Sequence, residues 1–391
     1  MRVLCVATKS PWPAIGGGRA DLRGLVDALA MAGAEPRVVA PGPVADPVPE
    51  PPVSVRGVDT GPRAWPWSVL AAVRNRSAVM ARYEMKALAA AVEREFASFR
   101  PAVVHIQQAQ LGWLLPALRG RVATVLRQEN VEADLIARLA TVSWWGLRWF
   151  LAREARALAR AEAVACRQAH VVAAISEADG SRLGELVPEA VVRVIPAALP
   201  VAAADGRERL GGEPPLLCLG SFNWRPNRDG AEWLLREVWP GLKERLPGAV
   251  LHLAGPGSES LGRDLGGVVR HGIVADARRM YDPRSIALIP LRVGSGVRMR
   301  LLEAWAAGVP AVTTPAGCTG LGAERPEAAL VADSAEAFCA AVARLAADAE
   351  LRERLVGSGQ RMLEDHQPSR IAAAARACYD EAIARHRAGA G

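Results

Sequence analysis

The 391-residue sequence has no C-x-x-C pair and no metal-ligand spacing, because Cys5, Cys166, Cys218, Cys318, Cys339 and Cys378 are scattered along it. That excludes a disulfide framework or zinc ribbon as organiser and suits reduced, mostly buried thiols in the cytoplasm. No D-x-D pair occurs, so the usual carboxylate clamp for a divalent ion is missing. No uninterrupted apolar run reaches the roughly 18 residues of a membrane span. Met1 leads into the apolar run Val3 to Ala7 without a basic leader, so export and integral insertion are not expected.

What is present fits a folded soluble protein: 51% hydrophobic and 23% charged residues. The length predicts two domains of about 150–200 residues each. The net charge of +7 has an uneven placement. Residues 1–198 carry 24 Lys and Arg against 18 Asp and Glu, whereas residues 199–391 carry 24 against 23. The excess base suits an acidic or membrane-surface partner for the first half; solvated arginine faces are the commoner explanation.

The most informative stretch is LIPLRVGSGVRMRLLEAWAAGVPAVTTP, Leu288 to Pro315. It reads as strand, glycine loop, helix, strand. Gly294, Ser295 and Gly296 break the backbone, Ser295 stands as a helix N-cap, and a helix is predicted from about Val297 until Gly308 and Pro310 stop it. A glycine loop feeding a helix N-terminus offers free N–H groups and a positive dipole end to an anion. Arg298 and Arg300 strengthen that reading, and Glu303, expected at the surface two turns in, can accept hydrogen bonds from sugar hydroxyls. From these residues alone, an ordinary crossover with a solvated arginine pair has equal standing.

Earlier in the chain, a strand ending at Thr8 leads through Lys9, Pro11 and Pro13 to Gly16, Gly17 and Gly18, with a helix predicted from about Ala20 to Met31 and a strand over 37–40. Consecutive glycines so far from the strand do not fit the G-x-G-x-x-G dinucleotide fingerprint. Residues 41–66 predict an irregular connection and 65–99 helix, where Arg63, Arg74, Arg76, Arg82 and Lys86 mix with Trp65, Trp67 and Tyr83. His105 reads as a core histidine in a strand. A strand over 121–126 leads to Gln128, Glu129, Asn130, Val131 and Glu132. Trp144, Trp145, Trp149 and Phe150 fall on a helix, where a packed face is expected ahead of sugar stacking or membrane contact. A linker is expected over 196–212.

The run PLRVGSGVRMRLLEAWAAGVPAVTT resembles the donor-binding segment of the retaining GT-B glycosyltransferases of family 4, also called glycosyltransferase group 1. GSFNWRPNRDG is similar to that family's first donor loop, with Ser221 and Asn227 where an arginine and a lysine are common. RHGIVAD is similar to the segment whose backbone meets the nucleobase, and QENVE to a middle signature in which Glu129 stands at a position commonly held by histidine. Of the family's paired glutamates, Glu303 matches the second, and Ser295 occupies the first.

The resemblance implies an α/β protein of GT-B fold, with two Rossmann-like doubly wound domains facing a central cleft. Residues 1–198 would bind the acceptor, 199–367 the nucleotide sugar, and 368–391 would form a helix crossing back to the first domain. It implies Arg298, Arg300, Glu129 and Asn130 as catalytic residues. Gly16, Gly17, Gly18, Arg225, Gly294, Ser295 and Gly296 would hold the donor diphosphate, Glu303 the ribose, and Ile273 and Val274 would lie near the base. The implied reaction is metal-independent, retaining transfer of a sugar from a nucleotide-diphosphate donor to a hydroxyl of a glycan, lipid-linked sugar or small natural product. A nucleotide-sugar epimerase, a sugar-phosphate synthase and a non-catalytic nucleotide-sugar binder are the alternatives. The nucleotide sugar is a co-substrate, no cofactor and no nucleic acid is expected, and peripheral contact with the inner membrane face through the basic half stays open, as does the oligomeric state.

Overall fold

A computed structural model describes residues 1–12, 16–42, 53–60, 76–141, 143–200, 206–294, 296–321 and 327–389. Among these, the strands form two parallel sheets. The first contains β1 (Arg2–Val6), β2 (Glu35–Pro41), β3 (Ser54–Val58), β4 (Val103–Gln107), β5 (Ala123–Gln128), β6 (Val171–Ala174) and β7 (Val192–Val194), in the order β3-β2-β1-β4-β5-β6-β7. The second contains β8 (Pro215–Leu219), β9 (Val250–Ala254), β10 (Val268–Gly272), β11 (Ile286–Ile289), β12 (Ala311–Thr313) and β13 (Leu330–Val331), in the order β10-β9-β8-β11-β12-β13.

Parallel strands need helical crossovers, so both faces are covered and the strands read as continuous apolar runs. Side-chain alternation sorts each strand between two cores. Val3 and Cys5 join one layer of the first sheet, Leu4 and Val6 the other. Leu216 and Leu217 divide the same way in the second sheet.

Five helices position the site: α1 (Gly17–Met31), α2 (Glu132–Thr141), α3 (Trp145–Gln168), α4 (Met299–Ala306) and α5 (Pro368–Gly389). Leu22, Leu25, Val26 and Leu29 place α1 on the first sheet, where Ile371, Ala375, Cys378 and Tyr379 of α5 join the same core. The last helix of the chain thus packs on the first sheet. All six cysteines are buried and unpaired.

Three expectations need correction. The connection over 41–66 holds a strand, β3, whose edge position leaves Ser54 and Arg56 outside the core and so weakens its apolar signal. The strand expected over 121–126 is β5, which runs on to Gln128 and carries Arg127 inward. The aromatic cluster at Trp144, Trp145 and Trp149 is not a packed face; all three rings are exposed. The helical reading of Arg63, Trp65, Trp67 and Arg74 lies outside the described residues.

Candidate active site

In both sheets the winding reverses beside the first strand, between β1 and β4 and between β8 and β11. Ligand crevices open at the carboxyl ends of strands at such points. Here the two crevices form one cleft of about 660 Å³, a size suited to a small-molecule ligand. Ala7, Thr8, Lys9, Gln107 and Gln108 line its first wall, and Ser221, Ile289 and Leu291 its second.

Two helix N-termini meet in this cleft. Helix α1 begins at Gly17 with no side-chain cap, after Gly16 at φ +98°. A Cβ at Gly18 would lie 2.4 Å from Glu129 Oε2, and one at Gly17 would lie 3.2 Å from Met299 Cγ, so this approach needs glycine. Helix α4 begins at Met299, two residues later than the spacing predicts, with Arg298 at its cap position and no side-chain cap bond. Gly296, at φ +74°, keeps the chain non-helical just before it. A Cβ there would lie 2.3 Å from both Asn130 Oδ1 and the Glu129 carbonyl oxygen. Arg138 of α2 donates to the Gly294 carbonyl at 2.7 Å, tying the glycine loop to the opposite wall. The cap expected at Ser295 lies outside the described residues.

Arg298 and Arg300 both line the cleft, in different surroundings. Burial pushes the Arg298 guanidinium down to about 10, against Asp179, which raises it, and with Arg138, which lowers it. It stays a cation at neutral pH. Arg300 pairs with Glu303, whose Oε2 also accepts from the Tyr281 hydroxyl at 3.2 Å. Burial opposes the Arg300 charge, but Glu303 outweighs it and the pKa is raised. Glu303, expected at the surface, is only 8% exposed, because its helix turns this face toward the apolar layer of Leu301, Leu302 and Trp305.

Glu129 and Asn130 sit across the cleft at the end of β5. Gln107 and Gln108 donate their amides to the two Glu129 oxygens at 2.6 and 2.7 Å. Burial first, then the neighbouring Asp21, push this carboxyl up to about 7, against the two glutamines and Arg127. Behind it Arg127 forms a buried two-bond pair with Asp21, at 2.9 Å each. His105, held neutral by burial, bonds Gln107 at 2.9 Å and the Tyr379 hydroxyl at 3.0 Å, as a core histidine does. A continuous polar chain therefore joins α5 to the cleft.

Of the residues expected to form the site, Gly16, Gly17, Gly18, Glu129, Asn130, Arg298 and Arg300 line the cleft. Gly294 and Gly296 flank it through Arg138 and Asn130. Arg225 is exposed in the first turn of its helix, away from the lining. Ile273 is 65% exposed, and Val274 packs against the apolar layer under α4. Ser221 and Asn227 do line the cleft, joined by an Asn227 side-chain bond to the Ser221 carbonyl at 3.1 Å. Lys9 and Arg19, which the sequence reading did not single out, supply further cations to the lining. Their signal was position alone, one just after the first strand and one just after the glycine run.

Two family descriptions match the chain: glycosyl transferases group 1 over residues 213–348, and glycosyl transferase 4-like domain over residues 16–198. No curated protein matches it. Solved structures similar to it include sucrose-phosphate synthase from Thermosynechococcus elongatus, at 17% identity and TM-score 0.72, covering 98% of this chain and 100% of that one. The catalytic domain of starch synthase IV from Arabidopsis thaliana, bound to ADP and acarbose, matches at 13% identity and TM-score 0.65, covering 98% and 99%. The Anabaena protein HepE, in complex with UDP and glucose, matches at 12% identity and TM-score 0.61, covering 96% and 98%.

Proposed function

Because the chain belongs to the group 1 glycosyltransferases and has the GT-B fold, we propose that it moves a sugar from a nucleotide-diphosphate donor to a hydroxyl acceptor with retention of anomeric configuration. One observation carries this reading: two uncapped helix N-termini and the cations Lys9, Arg19 and Arg298 converge on one cleft between the sheets. Residues 199–367 would hold the nucleotide, 1–198 the acceptor, and 368–391 would brace the first domain.

As the bond from the anomeric carbon to the diphosphate breaks, charge grows on the leaving phosphate. Preorganised N–H groups and guanidinium groups stabilise that charge more than the ground state. The acceptor oxygen bonds to the same face of the sugar and passes its proton to the departing phosphate oxygen. Glu129 and Asn130 face this event from the acceptor wall. Metal independence is part of the proposal, supported by the missing D-x-D pair and by the cations that would do a metal's electrostatic work.

A thermal-shift screen of UDP, GDP and dTDP sugars identifies the donor, and nucleoside diphosphate release then reports turnover. We expect stabilisation by one donor class, release that persists in chelator, and a product with the donor's anomeric configuration by NMR. An inverted product overturns retention. Activity lost in chelator and restored by magnesium overturns metal independence, and failure of every nucleotide sugar to bind overturns the donor assignment.

A further inference from the structure

Helix α3 divides its charges by sign. Its two carboxylates, Glu154 and Glu162, are both buried. Glu154 accepts from the Ser77 hydroxyl at 2.6 Å and from the N–H groups of Ala78 and Val79. Glu162 accepts from the N–H groups of Glu132 and Ala133, both at 2.9 Å. Arg148, Arg156 and Arg160 point the other way and are exposed. The outward face of this helix therefore carries only positive charge.

The start of the same helix shows large aromatic rings to water. Trp145 is 86% exposed, Trp149 73%, Trp144 64% and Phe150 40%. The Trp144 and Trp145 rings meet edge to face, with centroids 6.2 Å apart, and so do not cover one another. A Trp, Tyr or Phe side chain can bury about 150–250 Å², so four together make an apolar patch that calls for a partner. Because Glu162 caps the beginning of α2, the two helices run antiparallel, and the patch lies at the far end of the pair, beyond Arg138, whose guanidinium reaches the Gly294 carbonyl. The ten residues of α2 span about 15 Å from the cleft-lining Glu132 to this tip.

Two features identify the partner. A two-fold contact with a second copy would set the arginines of this face against their own equivalents, which like charge disfavours. Tryptophan with interleaved arginine instead suits the boundary of a lipid bilayer, where the ring sits at headgroup level and the guanidinium meets lipid phosphate. We propose that the 144–150 tip docks the protein peripherally on an anionic lipid surface. Among the described residues no helix is long and apolar enough to cross a membrane, so the contact is of the interfacial kind. This docking does not depend on the sugar-transfer reading.

The full chain is sedimented with phosphatidylcholine vesicles, with and without phosphatidylglycerol. The parent is expected to bind the anionic vesicles and to release as salt rises. Trp145→Ala with Trp149→Ala should lower partitioning by about tenfold or more, and Arg148→Glu with Arg156→Glu should abolish the preference for anionic lipid. Both double variants should keep the parent's unfolding temperature, since the altered side chains are exposed. The proposal is overturned if the parent ignores anionic vesicles or if either folded variant binds as the parent does. It is equally overturned if sedimentation velocity shows a parent dimer that the tryptophan variant dissolves, which would assign the patch to a second copy.

Discussion

The two walls of the cleft solve opposite electrostatic problems. On the first wall Asp21, Arg127, Gln107, Gln108 and Glu129 are buried or nearly so, and they bond to one another. On the second wall Arg298 and Arg300 stand beside a glycine loop and an uncapped helix start, so positive potential is concentrated where an anion would lie. A closed polar network holds one carboxyl in place and makes its charge costly, whereas on the facing wall two guanidinium groups, one of them matched by Glu303, line the cleft beside a helix start. Substitutions in the first wall should therefore report mainly in stability, and those in the second mainly in binding and turnover.

The largest expected effect is in the first wall. Asp21 accepts two bonds from Arg127 and one from the Ala198 N–H at 2.8 Å, all out of contact with water. Asp21→Ala leaves a buried guanidinium unmatched and should destabilise the fold by about 3–5 kcal/mol in urea unfolding. A loss below about 1 kcal/mol would mean that the pair behaves as a surface bridge.

Glu129 makes the same wall pH-sensitive. Its carboxyl titrates at about 7 in the folded chain, against an ordinary value of 4.5. The folded state then holds its proton more tightly than the unfolded state. Its contribution to stability is complete below the unfolded value and is lost as pH rises through the folded one, by about 3 kcal/mol at most. Glu129→Gln removes this titration, so between about pH 5 and pH 8 its unfolding free energy should fall less steeply than the parent's. Parallel slopes for parent and variant would show that the buried carboxyl is already ionised at low pH.

This contrast also explains what was legible beforehand. The second wall is local: strand, glycines, helix and arginines lie within one stretch of sequence, and their order reports their placement. The first wall is not. Arg127 meets Asp21 across 106 positions, and no periodicity links them. Read locally, Arg127 follows an apolar run and resembles the start of a loop, although it is an inward residue of β5. Burial was misjudged at Glu303, where the LLEAW context already signalled an apolar face. The doubly wound order was expected from the family resemblance, while β3 escaped because an edge strand buries little.

In the second wall, Arg298 should dominate over Arg300. The Arg300 charge is matched by Glu303, whereas Arg298 stands at the cap position of α4 against the glycine loop, where a Cβ on Gly294 would lie 2.8 Å from its Nη2. Lysine keeps the charge but loses the planar fork that binds phosphate oxygens in pairs. Arg298→Lys should cut kcat for nucleoside diphosphate release about thirtyfold while changing KM little, because charge on the diphosphate grows in the transition state. Arg300→Lys should cost less. Equal and negligible effects of both would move the diphosphate site elsewhere.

The smallest effect is expected at Glu303. Its Oε2 is occupied by Arg300 and the Tyr281 hydroxyl, while Oε1 accepts no bond among the described residues. The carboxyl is thus held by one oxygen, and although Glu303 is not among the residues that line the cleft, its second oxygen is the one a ribose hydroxyl would have to reach. In Glu303→Gln the amide oxygen must take the Oε2 place, since an NH₂ there would face two donors, and the NH₂ group then stands at the Oε1 place. The site changes from acceptor to donor, so a ribose hydroxyl can still bond, though no longer by donating to a charge. Affinity for the nucleoside diphosphate should fall by about 1 kcal/mol, roughly fivefold, and stability should fall by less than at Asp21, because Arg300 loses its counter-charge but keeps a hydrogen bond to the amide oxygen. Calorimetry with ribo- and deoxyribonucleoside diphosphates supplies the sharper readout: the parent should prefer the ribonucleotide, and the variant should lose most of that preference. A parent that binds both equally would leave Glu303 with one task, holding Arg300 in the wall.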